Sequence, residues 1–175
     1  FQMGLFYRDL EKELDKYNLM FPSYPASKNI CAMGGVIANN SGGEKTLRYG
    51  NTLNYIRSIK MICKDGNEYE FKKFSGVELQ NVLNRDDFFG EVHRKILNLI
   101  KDNFDIIKKN KPIVTKNSSG YYLWEAYNEK ENSLDLSKII CGSQGTLGVL
   151  TESTLGLVEK TKASEMIVFM LKDWK

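Results

Sequence analysis

The stretch ICGSQGTLGVLTE, residues 140–152, has three glycines at three-residue intervals that lead directly into a β-rich run. A second glycine-rich stretch, AMGGVIANNSGGEKTLRYGN, spans residues 32–51 and holds two Gly-Gly pairs around VIANNS. Glycine lets the backbone adopt positive φ and lets a ligand lie against the main chain. Exposed N–H groups in such turns favour anionic or carbonyl-rich ligands. The two stretches together indicate a nucleotide-like ligand, with structural turns or a bulge at the start of a strand as the alternative.

Neither stretch matches a common nucleotide-binding motif. The spacing of the glycines differs from GxGxxG, and no acidic residue follows where it would bind a ribose. Lys45 lacks the neighbours that GxxxxGK[ST] requires. One glycine stretch of this kind is more often a structural turn than a binding loop. The presence of the second stretch shifts the balance towards binding.

The first half of the chain predicts an α+β domain. Residues 7–19 have apolar side chains at helical spacing and predict a short amphipathic helix, which the proline-containing FPSYPAS ends. Residues 55–72 predict a β-hairpin with Asp65-Gly66 as its turn. One face of its first strand would hold Ile59, Met61 and Cys63. No regular βαβ repetition follows, so α+β with a mostly antiparallel sheet and flanking helices fits better than doubly wound α/β.

The second half predicts one long helix, one long loop and two strands. The helix spans residues 88–109, is capped by Asp86 or Asp87, and has a core face of Phe89, Val92, Ile96, Leu99, Ile100, Phe104 and Ile107. Residues 110–137 lack a strong period and predict an ordered functional loop. The first strand would place on one face Leu147, Val149, Thr151, Ser153, Leu155 and Leu157, and MIVFML (166–171) predicts a further strand.

The composition indicates one globular domain. The chain has 175 residues, 42% of them hydrophobic, and its 25 basic and 22 acidic residues are mixed along the sequence. No charge run indicates a nucleic-acid partner, and no apolar run is long enough for a transmembrane segment. The three cysteines form no CxxC pair. We therefore expect a cytoplasmic protein, associated with a membrane only through a partner.

The order of the segments resembles the FAD-linked oxidases of the vanillyl-alcohol oxidase/PCMH type. The segments that carry the resemblance are PAS, GGVIANNSGGEKTLRYGNT, the Asp-Gly hairpin, KNSSGYYL and GSQGTLGVLTESTLGLV. They cover nearly the whole chain, and the most similar branch contains D-lactate dehydrogenases and glycolate oxidase subunits. The resemblance implies the second subdomain of a PCMH-type FAD-binding domain.

The resemblance also implies a set of cofactor contacts. The positions that match FAD-contacting segments are Pro25, Ser27, Ala32, Met33, Gly34, Gly35, Asn39, Asn40, Ser41, Gly42, Gln144, Gly145, Thr146, Leu147, Gly148 and Val149. A loop near the flavin and the substrate would contribute Asn117, Gly120 and Tyr121. Two positions depart from the family: Ala32 replaces the usual Thr or His, and Gln144 replaces the usual Glu. The second change removes a charge but keeps a hydrogen-bond acceptor.

By the same resemblance, an RGGGT-like loop that holds the pyrophosphate would precede this region, and a cap domain with the catalytic base would follow it. We therefore expect residues 1–175 to be a partial FAD-binding domain that lacks both. On this expectation the chain has no catalytic or metal-binding residues of its own. Alone, it would be inactive and would bind FAD weakly or not at all.

The function implied is oxidation of a 2-hydroxy acid by hydride transfer to FAD. The electron acceptor would be a quinone, a carrier flavoprotein or an iron–sulfur protein. One alternative is another enzyme class on the same scaffold, such as an aryl-alcohol oxidase or an alkyl-glycerone-phosphate synthase. Another is a module that has lost flavin and serves assembly with a partner.

Three further features have two interpretations each. His93 is expected on or near the solvent-facing side of its helix rather than in catalysis. Cys31 is expected to be a small packing residue, with a covalent flavin tether as the alternative. The aromatic residues of the long loop could line a substrate pocket or cover the core, and these are Tyr121, Tyr122 and Trp124.

Overall fold

A five-stranded sheet with strand order β4-β5-β3-β2-β6 forms the centre of the computed structural model, which describes residues 1–163, 165, 167–171 and 173. All its neighbouring strands are antiparallel. The strands are β1 (Leu19–Met20), β2 (Ile56–Ile62), β3 (Glu68–Ser75), β4 (Tyr127–Asn128), β5 (Ser133–Asp135), β6 (Val149–Leu155) and β7 (Val158–Glu159). The helices are α1 (Tyr7–Asp15), α2 (Met33–Ala38), α3 (Thr46–Tyr49), α4 (Gly76–Leu83), α5 (Phe88–Asp102), α6 (Phe104–Lys109), α7 (Leu123–Ala126) and α8 (Ser137–Ile140), with a 3₁₀ turn at Thr52–Tyr55. This architecture confirms the predicted α+β class.

The β2–β3 hairpin matches the sequence prediction. Gly66 has φ 81°, and the Asp65 carboxylate accepts the Asn67 backbone N–H at 3.2 Å, which stabilises the turn. The predicted inward face is confirmed, because Ile59, Met61 and Cys63 are all buried. This hairpin therefore holds the centre of the main hydrophobic core.

Strand β6 alternates differently from the prediction. Its pairing with β2 shifts register, so that Lys60 opposes Glu152 while Met61 opposes Leu150. Such a bulge exchanges the two faces of a strand. As a result Val149 is 66% exposed and Leu150 packs against the core, although Ser153 remains buried. The single shared face predicted for residues 147–157 is therefore wrong at Val149, and it is also wrong at Leu147 and Leu157, which are exposed and lie outside the strand.

The long predicted helix is divided at residue 103, and its buried face is displaced. The N-cap prediction is confirmed for Asp87, whose carboxylate accepts the Gly90 N–H at 3.0 Å. The buried residues include His93 and Leu97, whereas Leu99 is 45% exposed. The solvent-facing position expected for His93 is wrong, because three aromatic rings surround it: Phe71, Phe74 and Phe89.

Three other segments differ from the sequence prediction. Helix α4 was not predicted. The C-terminal part of the expected loop 110–137, from Leu123 onwards, is also structured, because it contains α7, β4, β5 and the start of α8. Residues 167–171 form no strand, and Met166 of the predicted MIVFML strand lies outside the described residues.

A second, smaller core lies around α1. The predicted helix is confirmed over Tyr7–Asp15, although Tyr17 is exposed beyond its end. Tyr7 is fully buried, and its hydroxyl donates to the Phe21 carbonyl at 3.0 Å. Strands β1 and β7 pair beside this cluster. In the part of the chain that the structure describes, no helix combines the length and apolarity needed to cross a membrane.

Candidate functional site

The two glycine stretches meet at the C-terminal end of α2. Gly142 N–H donates to the Ile37 carbonyl at 3.0 Å, and Gln144 N–H donates to the Ala38 carbonyl at 2.9 Å. The last carbonyls of a helix have no partner within the helix, so they are open to donors from outside it. Here the second glycine stretch supplies them. The main chains of the two glycine stretches are therefore in direct contact, as the sequence interpretation requires.

A side-chain bond extends this contact to the surface. Gln144 Nε2 donates to Asn39 Oδ1 at 3.0 Å. Asn39 lies one helical turn after Gly35, so both are on the same face of α2. We use the name joint surface for the exposed residues that these contacts bring together, which are Gly35, Asn39, Gln144, Gly145, Thr146 and Leu147.

Four left-handed backbone conformations occur in the joint surface or directly beneath it. Asn40 has φ 45° and Gln144 has φ 56°, while Gly142 and Gly145 have φ 91° and 77°. A left-handed non-glycine residue costs on the order of 1–3 kcal/mol and persists only where its surroundings hold it. The bonds from Gln144 to α2 hold it in this conformation. Strain of this kind is concentrated at ligand sites more often than elsewhere.

The two glycines of the first pair have different surroundings. A Cβ on Gly34 would lie 3.0 Å from Met3 Cβ, and the Gly34 N–H already donates to the Met3 carbonyl at 2.9 Å. A Cβ on Gly35 would meet nothing within 4 Å. Within the described residues, the Gly35 N–H has no acceptor. Gly34 therefore serves chain packing, whereas Gly35 leaves its backbone open to a ligand.

The second glycine stretch also contains one packed glycine and one open glycine. A Cβ on Gly148 would lie 2.5 Å from the Ile62 carbonyl oxygen, so this glycine permits close packing on β2. Gly145 faces open space, and among the described residues the N–H groups of Gly145 and Leu147 have no acceptor. A flat ring with carbonyl groups along one edge fits these open glycines and unpaired donors. The donor set is thus compatible with a flavin.

The predicted substrate-region loop lies beside both stretches. The Asn117 carbonyl accepts from Asn51 Nδ2 at 2.8 Å and also from the Tyr122 hydroxyl. The Tyr121 hydroxyl lies 2.7 Å from Thr146 Oγ1, which itself donates to the Ser143 carbonyl at 2.6 Å. Because the Thr146 proton is used in that bond, Tyr121 is the donor to Thr146. Gly120 is exposed with φ 71°. This loop therefore borders the joint surface.

Several predicted cofactor residues point into the protein. Met33 and Asn40 are completely buried, and Ser41 is nearly so. The Ser41 carbonyl accepts both the backbone N–H and the hydroxyl of Thr52, at 2.9 and 2.8 Å. Lys116 Nζ donates to the carbonyl of buried Gly42 at 2.9 Å. Any cofactor contact of these residues would be through the backbone.

The remaining predicted positions lie around the first stretch and at the start of β6. A Cβ on Gly43 would lie 2.2 Å from the Tyr24 carbonyl oxygen, so the segment containing Pro25 packs closely against the glycine pair 42–43. Ser27 is exposed, and Ala32 is half-buried and forms a β-bridge with Phe6. Val149 is exposed where β6 begins. Their roles towards FAD remain predictions.

Two cavities adjoin the site, and sequence reasoning found neither. An open apolar groove of about 550 Å³ is lined on one side by Val92, Ile96 and Leu99, and on the other by Tyr121, Thr146 and Leu147. Three residues of the predicted core face of the helix therefore line this groove, although Val92 and Ile96 also pack against the core and Phe89 and Ile100 are buried in it as predicted. A polar cavity of about 210 Å³ is bordered by Asn40, Asn51, Asn117 and Tyr122. The signal in the sequence for the groove was the number of apolar residues on α5, which is larger than one buried helix face requires.

The cysteines near the site are protonated thiols. Burial raises the pKa of the Cys141 thiol to about 12, and its Sγ lies 3.8 Å from Asn40 Oδ1. Burial also raises the pKa of Cys31, which packs against the smaller core as expected. Among the described residues, no group of three His, Cys, Asp or Glu side chains could hold a metal ion.

Comparison with known proteins supports a relationship over nearly the whole chain. The model of the family described as FAD binding domain matches residues 1–72. The D-2-hydroxyglutarate dehydrogenase of Haemophilus influenzae is 26% identical over 160 residues, which are 90% of this chain and 16% of that protein. The D-lactate dehydrogenase of Anaerostipes hadrus is 25% identical, over 93% of this chain and 23% of that protein. The glycolate oxidase subunit GlcD of Bacillus subtilis is 23% identical, over 98% of this chain and 26% of that protein.

A solved structure shares the fold. The alkyldihydroxyacetonephosphate synthase matches with a TM-score of 0.52 and 18% identity, over 93% of this chain and 21% of that chain. This likeness confirms the predicted fold. The chain spans between 16% and 26% of the length of the three curated relatives described above.

Proposed function

We propose that the chain, which is similar to FAD-linked oxidoreductases, forms one side of the FAD site of a flavoprotein that oxidises a 2-hydroxy acid. FAD is the cofactor indicated by the match of residues 1–72. We expect further cofactor contacts, and the groups that act on the substrate, to come from sequence outside residues 1–175. The proposal for the whole protein rests on the names of its relatives. The shares that the chain covers show that these relatives are four to six times as long as the chain.

The observation that carries the proposal is the junction of the two glycine stretches into one exposed surface. The bonds from Gly142 and Gln144 to the end of α2 fix their relative position. The open glycines on either side, Gly35 and Gly145, leave room for a flat ring. Two unrelated structural turns would not need open glycines with unpaired N–H groups on the same face.

The chain's own residues would bind and orient the cofactor. When bound, FAD would supply the acceptor for a hydride from the carbon that bears the substrate hydroxyl. Gly35 and Gly145 would let the backbone approach the ring, and the N–H groups of Gly145 and Leu147 would donate to its acceptors. Tyr121, held by Thr146, would lie at the border of the cofactor and substrate regions.

The substrate class and the electron acceptor are inferred with the relatives as support. D-2-hydroxyglutarate, D-lactate and glycolate, which appear in the relatives' names, are all 2-hydroxy acids. We therefore infer a substrate of this class. The acceptor would be a quinone, a carrier flavoprotein or an iron–sulfur protein, and the described residues favour none of the three.

The test is an FAD titration of the natural protein that carries these residues, followed by flavin fluorescence, for wild type and Gly35→Ala. Alanine stabilises a helix relative to glycine by about 0.5–1 kcal/mol, and the added methyl meets no protein atom. Thermal stability should therefore stay equal or rise. FAD affinity should fall by about tenfold or more, because the methyl occupies the space of the ring.

Asn98→Ala on the exposed face of α5 is the matched control. It also raises helix propensity, but it leaves the joint surface unchanged, so FAD affinity should stay at the wild-type value. A wild-type protein that binds no FAD would contradict the proposal. Equal FAD affinity in Gly35→Ala and wild type would contradict the placement of the ring against Gly35.

A further inference from the structure

The side chain of Asn40 lies completely buried beneath the joint surface. Its φ of 45° is in the left-handed region, which asparagine tolerates better than most residues. This conformation turns the side chain away from the ligand side and into the protein. A direct side-chain contact with the cofactor is therefore excluded by its burial, and its amide must serve another purpose.

The Asn40 amide connects three separate segments. Its Oδ1 accepts the backbone N–H of Leu53 at 2.9 Å and lies 3.8 Å from the Cys141 thiol. Its Nδ2 donates to the Asn117 carbonyl at 3.4 Å. These partners belong to the 3₁₀ turn, to the second glycine stretch and to the substrate-region loop. Since the carbonyl partner can only accept and the N–H can only donate, the position requires a donor and an acceptor together.

Asn40 also limits the position of the second glycine stretch by direct packing. A Cβ on Gly142 would lie only 3.2 Å from Asn40 Cβ, so Gly142 already sits close to this side chain. The backbone carbonyl of Asn40 accepts from the Ser118 hydroxyl at 3.4 Å, which adds a second bond to the substrate-region loop. Removal of the side chain would leave this backbone bond in place, but it would remove the packing contact with Gly142 and the bond to Asn117 at once.

We propose that Asn40 is a positioning residue for the joint surface. Its buried amide fixes the second glycine stretch and the 117–122 loop relative to α2. The role towards flavin rests on the proposed function, whereas the positioning itself does not. Asn40 touches no reacting atom and acts through Cys141, Gly142 and Asn117. The resemblance had placed Asn40 among the cofactor contacts, without this role.

The test compares amide hydrogen exchange of wild type, Asn40→Gly and Asn132→Gly without FAD. Glycine accepts left-handed φ, so Asn40→Gly removes the side chain without backbone strain. Asn132, exposed with φ 44°, undergoes the same substitution away from the site and is the control. Exchange at Leu53, Gly142 and Gln144 should accelerate about tenfold in Asn40→Gly. It should stay at the wild-type rate in Asn132→Gly, and in all proteins the core amide of Ile59 should keep its rate.

FAD affinity provides the second measurement. We expect Asn40→Gly to bind FAD about tenfold more weakly than wild type, and Asn132→Gly to bind it equally well. Unchanged exchange at the three amides would overturn the positioning role, whether or not the protein binds FAD. Accelerated exchange with unchanged FAD affinity would overturn the role of Asn40 in FAD binding at the joint surface. Failure of wild type to bind FAD would instead contradict the proposed function, and the exchange result would still stand.

Asn40→Asp decides the matter if Asn40→Gly does not fold. Aspartate has the same shape and keeps the acceptor for Leu53, but its carboxylate removes the donor to Asn117. Leu53 should therefore stay protected, while FAD affinity falls by about fivefold or more because the carboxylate repels the Asn117 carbonyl and shifts the 117–122 loop. Loss of protection at Leu53, or full FAD affinity, would contradict the proposal.

Discussion

Replacement of the buried His93 by leucine should stabilise the fold, and more so in acid. The Nδ1 atom lies 2.7 Å from the Phe89 carbonyl, so it must carry the proton, and Nε2 is buried without a partner. An unsatisfied buried polar atom costs about 1–3 kcal/mol. Leucine of similar size removes that cost but loses ring contacts worth about 0.5–1.5 kcal/mol. We expect His93→Leu to be about 1 kcal/mol more stable than wild type near pH 7.5.

The pH dependence follows from the same burial. Desolvation lowers the pKa of His93 below its ordinary value of 6.5, so the unfolded chain binds this proton more readily than the folded one. Stability of wild type should therefore fall as the pH drops below 6.5, by at most about 2 kcal/mol down to pH 5. His93 is the sole histidine of the chain, so the variant lacks this dependence.

Urea unfolding followed by circular dichroism at pH 7.5 and pH 5.0 measures both effects. Carboxylates such as Asp87, whose pKa is lowered to about 2 by the Arg85 guanidinium and the Gly90 N–H, are present in both proteins and cancel in the difference. The stability gap between His93→Leu and wild type should widen in acid. A variant less stable than wild type at pH 7.5, or a gap that does not change with pH, would refute the reasoning.

Two further substitutions test local features. Asp87→Ala removes the N-cap bond to Gly90 and should cost about 1 kcal/mol in urea unfolding, whereas the neighbouring Asp86→Ala should cost almost nothing; equal costs would contradict the capping role. Gly43→Ala would place a methyl 2.2 Å from the Tyr24 carbonyl oxygen, so it should lower stability by about 1–3 kcal/mol or more, and an unchanged melting temperature would show that this approach is not required.

The sequence was sufficient to predict the elements that have a strong local signal. The β2–β3 hairpin was predictable because Asp65-Gly66 favours one turn and the strands alternate regularly. The capped start of α5 was predictable for the same kind of reason, since Asp87 precedes an apolar run. Local pattern thus identified the sheet centre and the main helix.

Elements whose faces depend on tertiary contacts were predicted less well. His93 counted as polar in the periodicity, so the predicted face of α5 excluded it, whereas the structure buries it among phenylalanine rings. The bulge in β6 exchanged the faces of Val149 and Leu150; the glycines before the strand allowed for a bulge, but they did not fix its position. Leu99, which was predicted to pack in the core, is exposed and lines an open groove, whereas Val92 and Ile96 border the groove and also pack against the core.

The candidate site was predictable as a pair of glycine stretches but not in its geometry. Their open glycines could not be separated from the packed ones by sequence, because Gly34 and Gly35 differ only in what faces them. Likewise the inward side chain of Asn40 follows from a left-handed φ that the sequence does not specify. The resemblance supplied the grouping, and the structure supplied the division between packed and open glycine positions.

The most direct measurement of the central claim is amide hydrogen exchange of the natural protein with and without FAD. If both glycine stretches line one flavin surface, the amides of Gly35, Gly145 and Leu147 should all gain protection on FAD binding. The core amide of Ile59 should exchange at the same rate in both states. Protection confined to one of the two stretches, or absent from both while FAD is bound, would contradict the account.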